Sequence, residues 1–390
     1  MRESPAEASL DPRILRRFHW ASGLNGLAFG LEISALPLYF LTLGLPPPLY
    51  GLLLGAAWLV ALVVRMPIGA LSLRVGNRPL LRWGCWTYAP LTWALALAGY
   101  VPVFFTVRLC NGVARSLMVL PLRSWFTELC PRAQLSAELG RLNAWFAIGQ
   151  QLVGVLGGPL LLGLLGPPGL LGFLGLAPLL IWWLLRPAPP DHPAASARAA
   201  AGRGAPWLLL VAAPCGLAAN AAVSATAGFI PPIVLDLGWP REAVGVLLFI
   251  QGVSAVLLAR QNGPIVGRWG EAIPALVGLL LVIAASIILY AVPGGFVLPL
   301  VMALSGAAFG TLPTLAMAMA ARALPSRSQG ISIHETYTSL GLGAGPFLGG
   351  LTTAWLGSPR AAMLGCIAFA LAGLVTVLRA RASLGESAPA

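Results

Sequence analysis

The sequence contains no lysine: all 24 of its basic residues are arginine. A Gly-x-x-x-x-Gly-Lys phosphate loop therefore cannot exist in it, which excludes nucleotide hydrolysis of that type. Acids are scarce as well, 12 among 390 residues, and charged residues make up 9% of the chain against roughly 25% in soluble globular domains. There are only three histidines (His19, His192 and His334), and neither His-x-x-x-His nor Cys-x-x-Cys spacing occurs. A hydrolytic metal centre is accordingly not expected, nor is any cofactor or enzymatic activity. The five cysteines (Cys85, Cys110, Cys130, Cys215 and Cys366) are odd in number and lie in or beside apolar segments, which predicts free thiols rather than a disulfide framework. The first 16 residues are polar, and no small-residue cleavage site follows a short apolar run, so no cleaved signal peptide is expected.

What the chain has in abundance is apolar surface: 58% of its residues are hydrophobic and its mean hydropathy is +0.85. A soluble core needs nothing like this much. A spanning helix takes about 20 apolar residues, so twelve spans would use about 240 positions. The apolar runs and their Gly, Pro and Arg boundaries predict spans at 18–43, 50–70, 80–100, 102–124, 141–165, 169–186, 207–235, 243–262, 273–293, 296–320, 330–355 and 361–379. The Pro-, Ala- and Arg-rich stretch at 187–206 reads as a cytoplasmic linker between two six-helix bundles, 18–186 and 207–380, with cytoplasmic tails at 1–17 and 381–390. A net charge of +12 does not mark a nucleic-acid protein, because the arginines are scattered and follow topology. Alternate loops receive 19 of them, Arg123 included, the opposite loops hold only Arg241 and Arg360, and Arg65, Arg108 and Arg115 fall inside spans. Such asymmetry is the positive-inside rule with both termini cytoplasmic. The expected location is the bilayer of a bacterial inner membrane.

An internal repeat supports the division. Leu36–Gly76 overlays Ile230–Gly270 at a constant offset of 194, aligning Pro37 with Pro231, Gly44 with Gly238, Pro46 with Pro240, Gly51 with Gly245, Gly69 with Gly263 and Gly76 with Gly270. Parallel repeats are one way carriers build a central site open to either side in turn.

The segment Gly69-Ala70-Leu71-Ser72-Leu73-Arg74-Val75-Gly76-Asn77-Arg78, placed in the loop after span 2, resembles the loop motif of the major facilitator superfamily, with Leu73 where that family carries an acid. Span 4 has Arg108-x-x-Asn111-Gly112, similar to the Arg-x-x-Gln-Gly pattern of proton-coupled members, and then adds Arg115. Gly154-x-x-x-Gly158-Pro159 in span 5 resembles the core of the antiporter pattern, and Gly341-x-x-x-Gly345-Pro346-x-x-Gly349-Gly350 in span 11 fits that core in full. The resemblance covers essentially the whole chain. It implies twelve transmembrane helices in two pseudo-symmetric six-helix bundles, working as a monomer by alternating access. By analogy it also implies proton-coupled efflux of a small solute, with Gly69, Arg74, Gly76, Arg78, Gly154, Gly158, Pro159, Gly345 and Pro346 serving the conformational change. Gly and Pro in these segments also suit plain close packing and kinking of helices.

Buried polar groups supply the candidate site. Glu32 and Glu335 are the only acids inside predicted spans. At 1.5 Å rise per residue, Glu32 lies about 16 Å from the outer end of its helix, Arg108 about 10 Å and Arg115 about 20 Å, so either arginine is in reach. Such a carboxylate either takes up and releases protons during transport or forms a static ion pair. Glu335 follows Ser332 in a Ser-x-x-Glu pattern that reads as a helix-capping box, or else joins His334 in a proton relay. Candidate substrate contacts are Asn25, Arg108, Asn111, Arg115, Gln150, Gln151, Asn220, Gln251 and Tyr337, and Trp20, Phe29, Trp58 and Trp145 are candidate aromatic walls. A cavity-facing Arg115 favours an anionic solute. The remaining alternatives are proton-coupled uptake of an anionic metabolite, a non-transporting sensor on the same fold, and a membrane-embedded enzyme.

Overall fold

The computed structural model describes residues 11–97, 101–130, 135–189, 205–324 and 327–385. Most of the expected linker, the first ten residues of the amino-terminal tail and the last five of the carboxy-terminal one lie outside the described residues. Within them the chain is helical, with no strand. The helices are α1 (Pro12–Leu41), α2 (Pro47–Val75), α3 (Asn77–Leu97), α4 (Val101–Leu129), α5 (Leu135–Ala147), α6 (Val155–Leu185), α7 (Leu208–Asp236), α8 (Glu242–Trp269), α9 (Ala272–Ala291), α10 (Leu298–Ala323), α11 (Arg327–Leu356) and α12 (Ile367–Gly385). A π-helical segment, Ile148–Gly154, joins α5 to α6, and a 3-10 segment, Pro359–Cys366, leads into α12. Nine helices among the described residues are long and apolar enough to cross a membrane. Helices α3 and α11 fall short of that apolarity, and the stretch 141–185 counts once although Gly166 (φ 67°) breaks it.

Local chemistry explains the boundaries. Asp11 accepts a hydrogen bond from the Arg13 amide (2.8 Å) and Pro12 occupies the first turn, so α1 starts where a side-chain acceptor and a residue without an N–H suit a helix end. The repeat reappears as paired backbone breaks. Gly44 (φ 62°) and Gly238 (φ 70°) close one turn in each half, and Gly76 (φ 92°) and Gly270 (φ 71°) close the next. These are left-handed conformations that glycine alone adopts at no steric cost. The loop expected at 69–78 is much shorter than the sequence suggested, because α2 continues through Val75 and only Gly76 interrupts it. Helix α4 likewise continues to Leu129 and carries Arg123 within it rather than in a loop.

The helices form two bundles, α1–α6 and α7–α12, that meet along α2 and α11 and along α6 and α8. Small residues set both meetings. Gly51 lies against the Pro346 carbonyl, Gly55 faces Gly343, and a Cβ on Gly69 would sit 2.8 Å from Ser332 Oγ. On the pseudo-equivalent seam, Gly245 approaches the Val155 carbonyl and Gly252 packs on Gln151. Side chains at these glycines would hold the backbones apart. The Gly-Pro segments make seams inside each bundle: Gly154 and Gly158 pack on Gly30 and Ser34 of α1, and Gly345 packs on Ala221 and Ser224 of α7. The prolines that follow turn to the other bundle, Pro159 toward Gly245 and Pro346 toward Gly51.

Large apolar side chains such as Val63, Leu164, Leu210 and Trp183 point outward, whereas Glu32, Arg65, Arg108 and Glu335 are buried. That inside-out distribution suits a hydrocarbon solvent. Trp20, proposed as a cavity wall, is exposed and packs tilted against Trp145, with ring centroids 4.8 Å apart.

Candidate functional site

Two carboxylates, each held by two arginines, occupy the interior. The first belongs wholly to one bundle. Glu32 of α1 accepts a hydrogen bond at Oε2 from Arg115 Nη1 (2.7 Å) and pairs through Oε1 with Arg108 Nη1, both arginines standing on α4. The two arginines are seven residues apart and so project from nearly one helical face. The two pairings allowed by helix depth thus form together. Tyr88 of α3 brings its hydroxyl to 3.4 Å from Glu32 Oε2. The Arg115 guanidinium lies between the rings of Phe29 (4.4 Å) and Trp58 (4.6 Å), whose faces attract a cation and fix its plane.

The second cluster crosses between bundles. Glu335 of α11 accepts at Oε2 from Arg65 Nη1 of α2 (2.9 Å) and pairs through Oε1 with Arg123 Nη1 of α4. Arg65 also donates to the Glu335 backbone carbonyl. The expected capping box is not formed: α11 starts at Arg327, which places Ser332 and Glu335 inside the helix rather than at its end. His334 lies beside it, with Nδ1 3.0 Å from the Tyr337 hydroxyl, and that hydroxyl donates to the Ala316 carbonyl (3.2 Å).

Between the bundles lies a cavity of about 160 Å³, counting the space in which a water-sized sphere can be centred. Asn25, Arg65, Arg115, Arg123, His334 and Glu335 give it polar walls, and Phe29, Trp58, Phe146 and Phe309 give it aromatic ones. A second, smaller cavity of about 30 Å³ touches Glu32, Arg108, Ser224 and Gly228. Phe29, Trp58 and Leu342 border both. They form an apolar septum with Val223, and Arg115, lying between its Phe29 and Trp58 rings, reaches from the larger cavity to Glu32, which lines the smaller one together with Arg108. Beyond the smaller cavity, the Tyr50 hydroxyl donates to the Gly228 carbonyl (2.5 Å) and ties α2 to α7.

The other candidates divide. Gln150 and Gln151 reach the larger cavity from the π-helical segment, and Asn220 reaches it from α7 while donating to the Gly216 carbonyl (2.7 Å). Asn111, Gln251 and Tyr337 line neither cavity. Asn111 donates to Thr92 Oγ1 (3.0 Å) in the α3–α4 seam, Gln251 donates to Ser305 Oγ (2.8 Å) in the α8–α10 seam, and Tyr337 is engaged by α10. Each amide finds a partner on a neighbouring helix, the cheapest way to satisfy a polar group away from water. Of the loop-motif arginines, Arg74 is exposed and Arg78 donates to the Arg186 carbonyl (2.8 Å), joining α3 to the end of α6 within the first bundle.

Sequence reasoning assigned no role to Arg65 and placed Arg123 in a loop, so both partners of Glu335 were missed. A signal existed: Arg108, Arg115 and Arg123 recur at intervals of seven and eight residues, one stripe along α4.

Comparisons agree with this architecture. The chain superposes on a bacterial homologue of the human lysosomal transporter Spinster in an inward-facing, occupied conformation, with a TM-score of 0.72 at 16% identity, covering 97% of this chain and 98% of that one. The same homologue in an inward-facing, unoccupied conformation gives 0.70 at 15% identity over 96% of each chain. A point mutant of the nucleoside transporter NupG gives 0.70 at 14% identity, covering 95% of this chain and 99% of that one. At such identities the likeness shows the fold. No curated protein sequence matches significantly. The sequence profile of the Major Facilitator Superfamily matches residues 18–214 and again residues 212–389, and since those two matches take in both halves of the repeat, the chain belongs to the major facilitator superfamily.

Proposed function

We propose that this protein is a proton-coupled secondary transporter that carries a small amphipathic anion together with protons by alternating access, with Glu32 as the proton-coupling group. The observation that carries the reading is the position of Glu32: one carboxylate, lining the smaller cavity, holds an arginine bordering each of the two cavities. Protonating it releases both arginines at once, so proton uptake and anion binding favour each other and the two travel together. Charge sets the solute class. Four buried or half-buried arginines face two carboxylates in the interior, and an anion redresses that excess. The aromatic walls suit an apolar body. The resemblance of the Gly154–Pro159 segment to antiporters favours a second reading, export of the anion in exchange for protons. The arginine-rich end is placed in the cytoplasm by the positive-inside rule, and the bacterial origin of a structural neighbour supports an inner-membrane location. One chain holds both halves of the path, so a monomer suffices.

The test is flux in proteoliposomes with benzenesulfonate, which is permanently ionised and neither leaks through lipid nor carries protons itself. An imposed pH gradient should drive benzenesulfonate in the same direction as protons, and Glu32→Gln should abolish that flux while the protein still folds. Undiminished gradient-driven flux in Glu32→Gln removes Glu32 from the mechanism. Solute and protons moving in opposite directions would replace cotransport with export by exchange, and binding without flux would make the protein a sensor.

A further inference from the structure

Glu335 differs from Glu32 in the ownership of its partners. Arg65 and Arg123 stand on α2 and α4 of the first bundle, while Glu335 arrives on α11 from the second. Any motion that parts the bundles here withdraws the carboxylate and leaves two cations behind. A buried cation stripped of its countercharge is strongly disfavoured, so the parted state needs another anion. The place it would take is already formed. Arg65 Nε is buried and has no hydrogen-bond partner. Arg65 lies 5.9 Å from the Trp58 ring, and Arg123 lies 5.6 Å from the Phe146 ring. All four side chains line the larger cavity, and Asn143 and Gln150 add amides beside them.

We propose that Arg65 and Arg123 form an oxyanion subsite, filled by Glu335 in this conformation and by the anionic head of the solute when the bundles part. The inference deepens the transporter reading and rests on it: Glu335 acts as an internal stand-in for the cargo. A sulfonate, phosphate or carboxylate attached to an aromatic or apolar body matches the site, because a guanidinium pairs with any of these oxyanions through parallel N–H donors. The empty carrier is held closed by its own carboxylate. The loaded one is released by exchange of one anion for another, with no net change in buried charge.

The experiment is titration calorimetry on the purified full-length protein with benzenesulfonate, using neutral benzenesulfonamide as the control. Glu335→Gln removes the competitor and should tighten benzenesulfonate binding by about tenfold, equivalent to about 1.4 kcal/mol, without changing benzenesulfonamide. Arg123→Gln should weaken sulfonate binding, and the double variant Glu335→Gln/Arg123→Gln should show no tightening over Arg123→Gln alone. The Arg123 side chain is 20% exposed, against 2% for Arg65, so its variant keeps the test open should Glu335→Gln not fold. Equal affinity in the parent and Glu335→Gln, tightening that persists without Arg123, or no sulfonate binding to either protein each overturns the subsite. The two readings separate cleanly. Binding that follows this pattern without flux sinks the transporter reading and keeps the subsite, while flux with unchanged affinities does the reverse.

Discussion

The Glu32 and Glu335 clusters use the same parts, one carboxylate between two arginines, in opposite structural settings. The first lies inside a single bundle, its members held by α1 and α4. On the proposed mechanism, rigid-body rocking would leave it intact, and protonation would be what opens it. The second is shared between α2 and α4 on one side and α11 on the other, so a rocking motion would itself open it. On the proposed mechanism the difference separates two tasks: Glu32 would sense protonation at any stage of the cycle, and Glu335 how far apart the bundles stand.

The sharpest way to break this comparison is to neutralise each carboxylate in turn. Glu32→Gln should reduce gradient-driven flux by at least about 100-fold, the scale on which a lost proton-transfer group acts, while leaving the balance between conformations unchanged. Glu335→Gln should retain coupling and instead shift that balance toward separated bundles. Flux and hydrogen-exchange protection of α11, measured in both variants, read the two effects. Truncation is harsher than neutralisation for both: Glu32→Ala leaves Arg108 and Arg115 buried without a countercharge, a loss of about 3–5 kcal/mol that thermal unfolding in detergent will register.

The seams offer a second contrast. Gly51→Val presses a branched side chain against the Pro346 backbone between bundles, whereas Gly158→Val presses one against α1 within a bundle. Both should destabilise by about 1–3 kcal/mol. Only the first should also change the exchange between conformations, which fluorescence quenching of a label at the native exposed Cys110 in the two variants can compare. The smallest effect belongs to Arg74. Being exposed at the end of α2, Arg74→Gln should alter stability by no more than about 0.5 kcal/mol. A larger change in unfolding temperature would give the loop motif a contact that the structure lacks.

Much of the fold was legible because it rests on local rules. The paired glycines Gly44 and Gly238, and Gly76 and Gly270, mark the same backbone breaks in both halves, and the apolar runs mark the helices between them. Glu32 was legible too, since it stands alone in an apolar run with two arginines at matching depth. Glu335 was half legible: its burial was foreseen, but its partners lie on two other helices of the opposite bundle, and helix pairing is a tertiary property that periodicity does not encode. Ser332 and Glu335 imitated a helix start because the apolar run begins there, while α11 itself extends back to Arg327. The amides divided for a similar reason. Asn111 and Gln251 look no different in sequence from Gln150, and only the neighbouring hydroxyls of Thr92 and Ser305 decide which side chains leave the cavity.

The central claim is that the Glu335 cluster opens and closes with the bundles while the Glu32 cluster does not. Spin labels at Arg74→Cys on α2 and Gln329→Cys on α11, in a background with the exposed Cys110 replaced by serine, measure the separation of the bundles at the arginine-rich end. The account predicts two distance populations, with Glu335→Gln enriching the longer one and Glu32→Gln leaving their ratio where the parent has it. A single distance, identical in all three proteins, would contradict it.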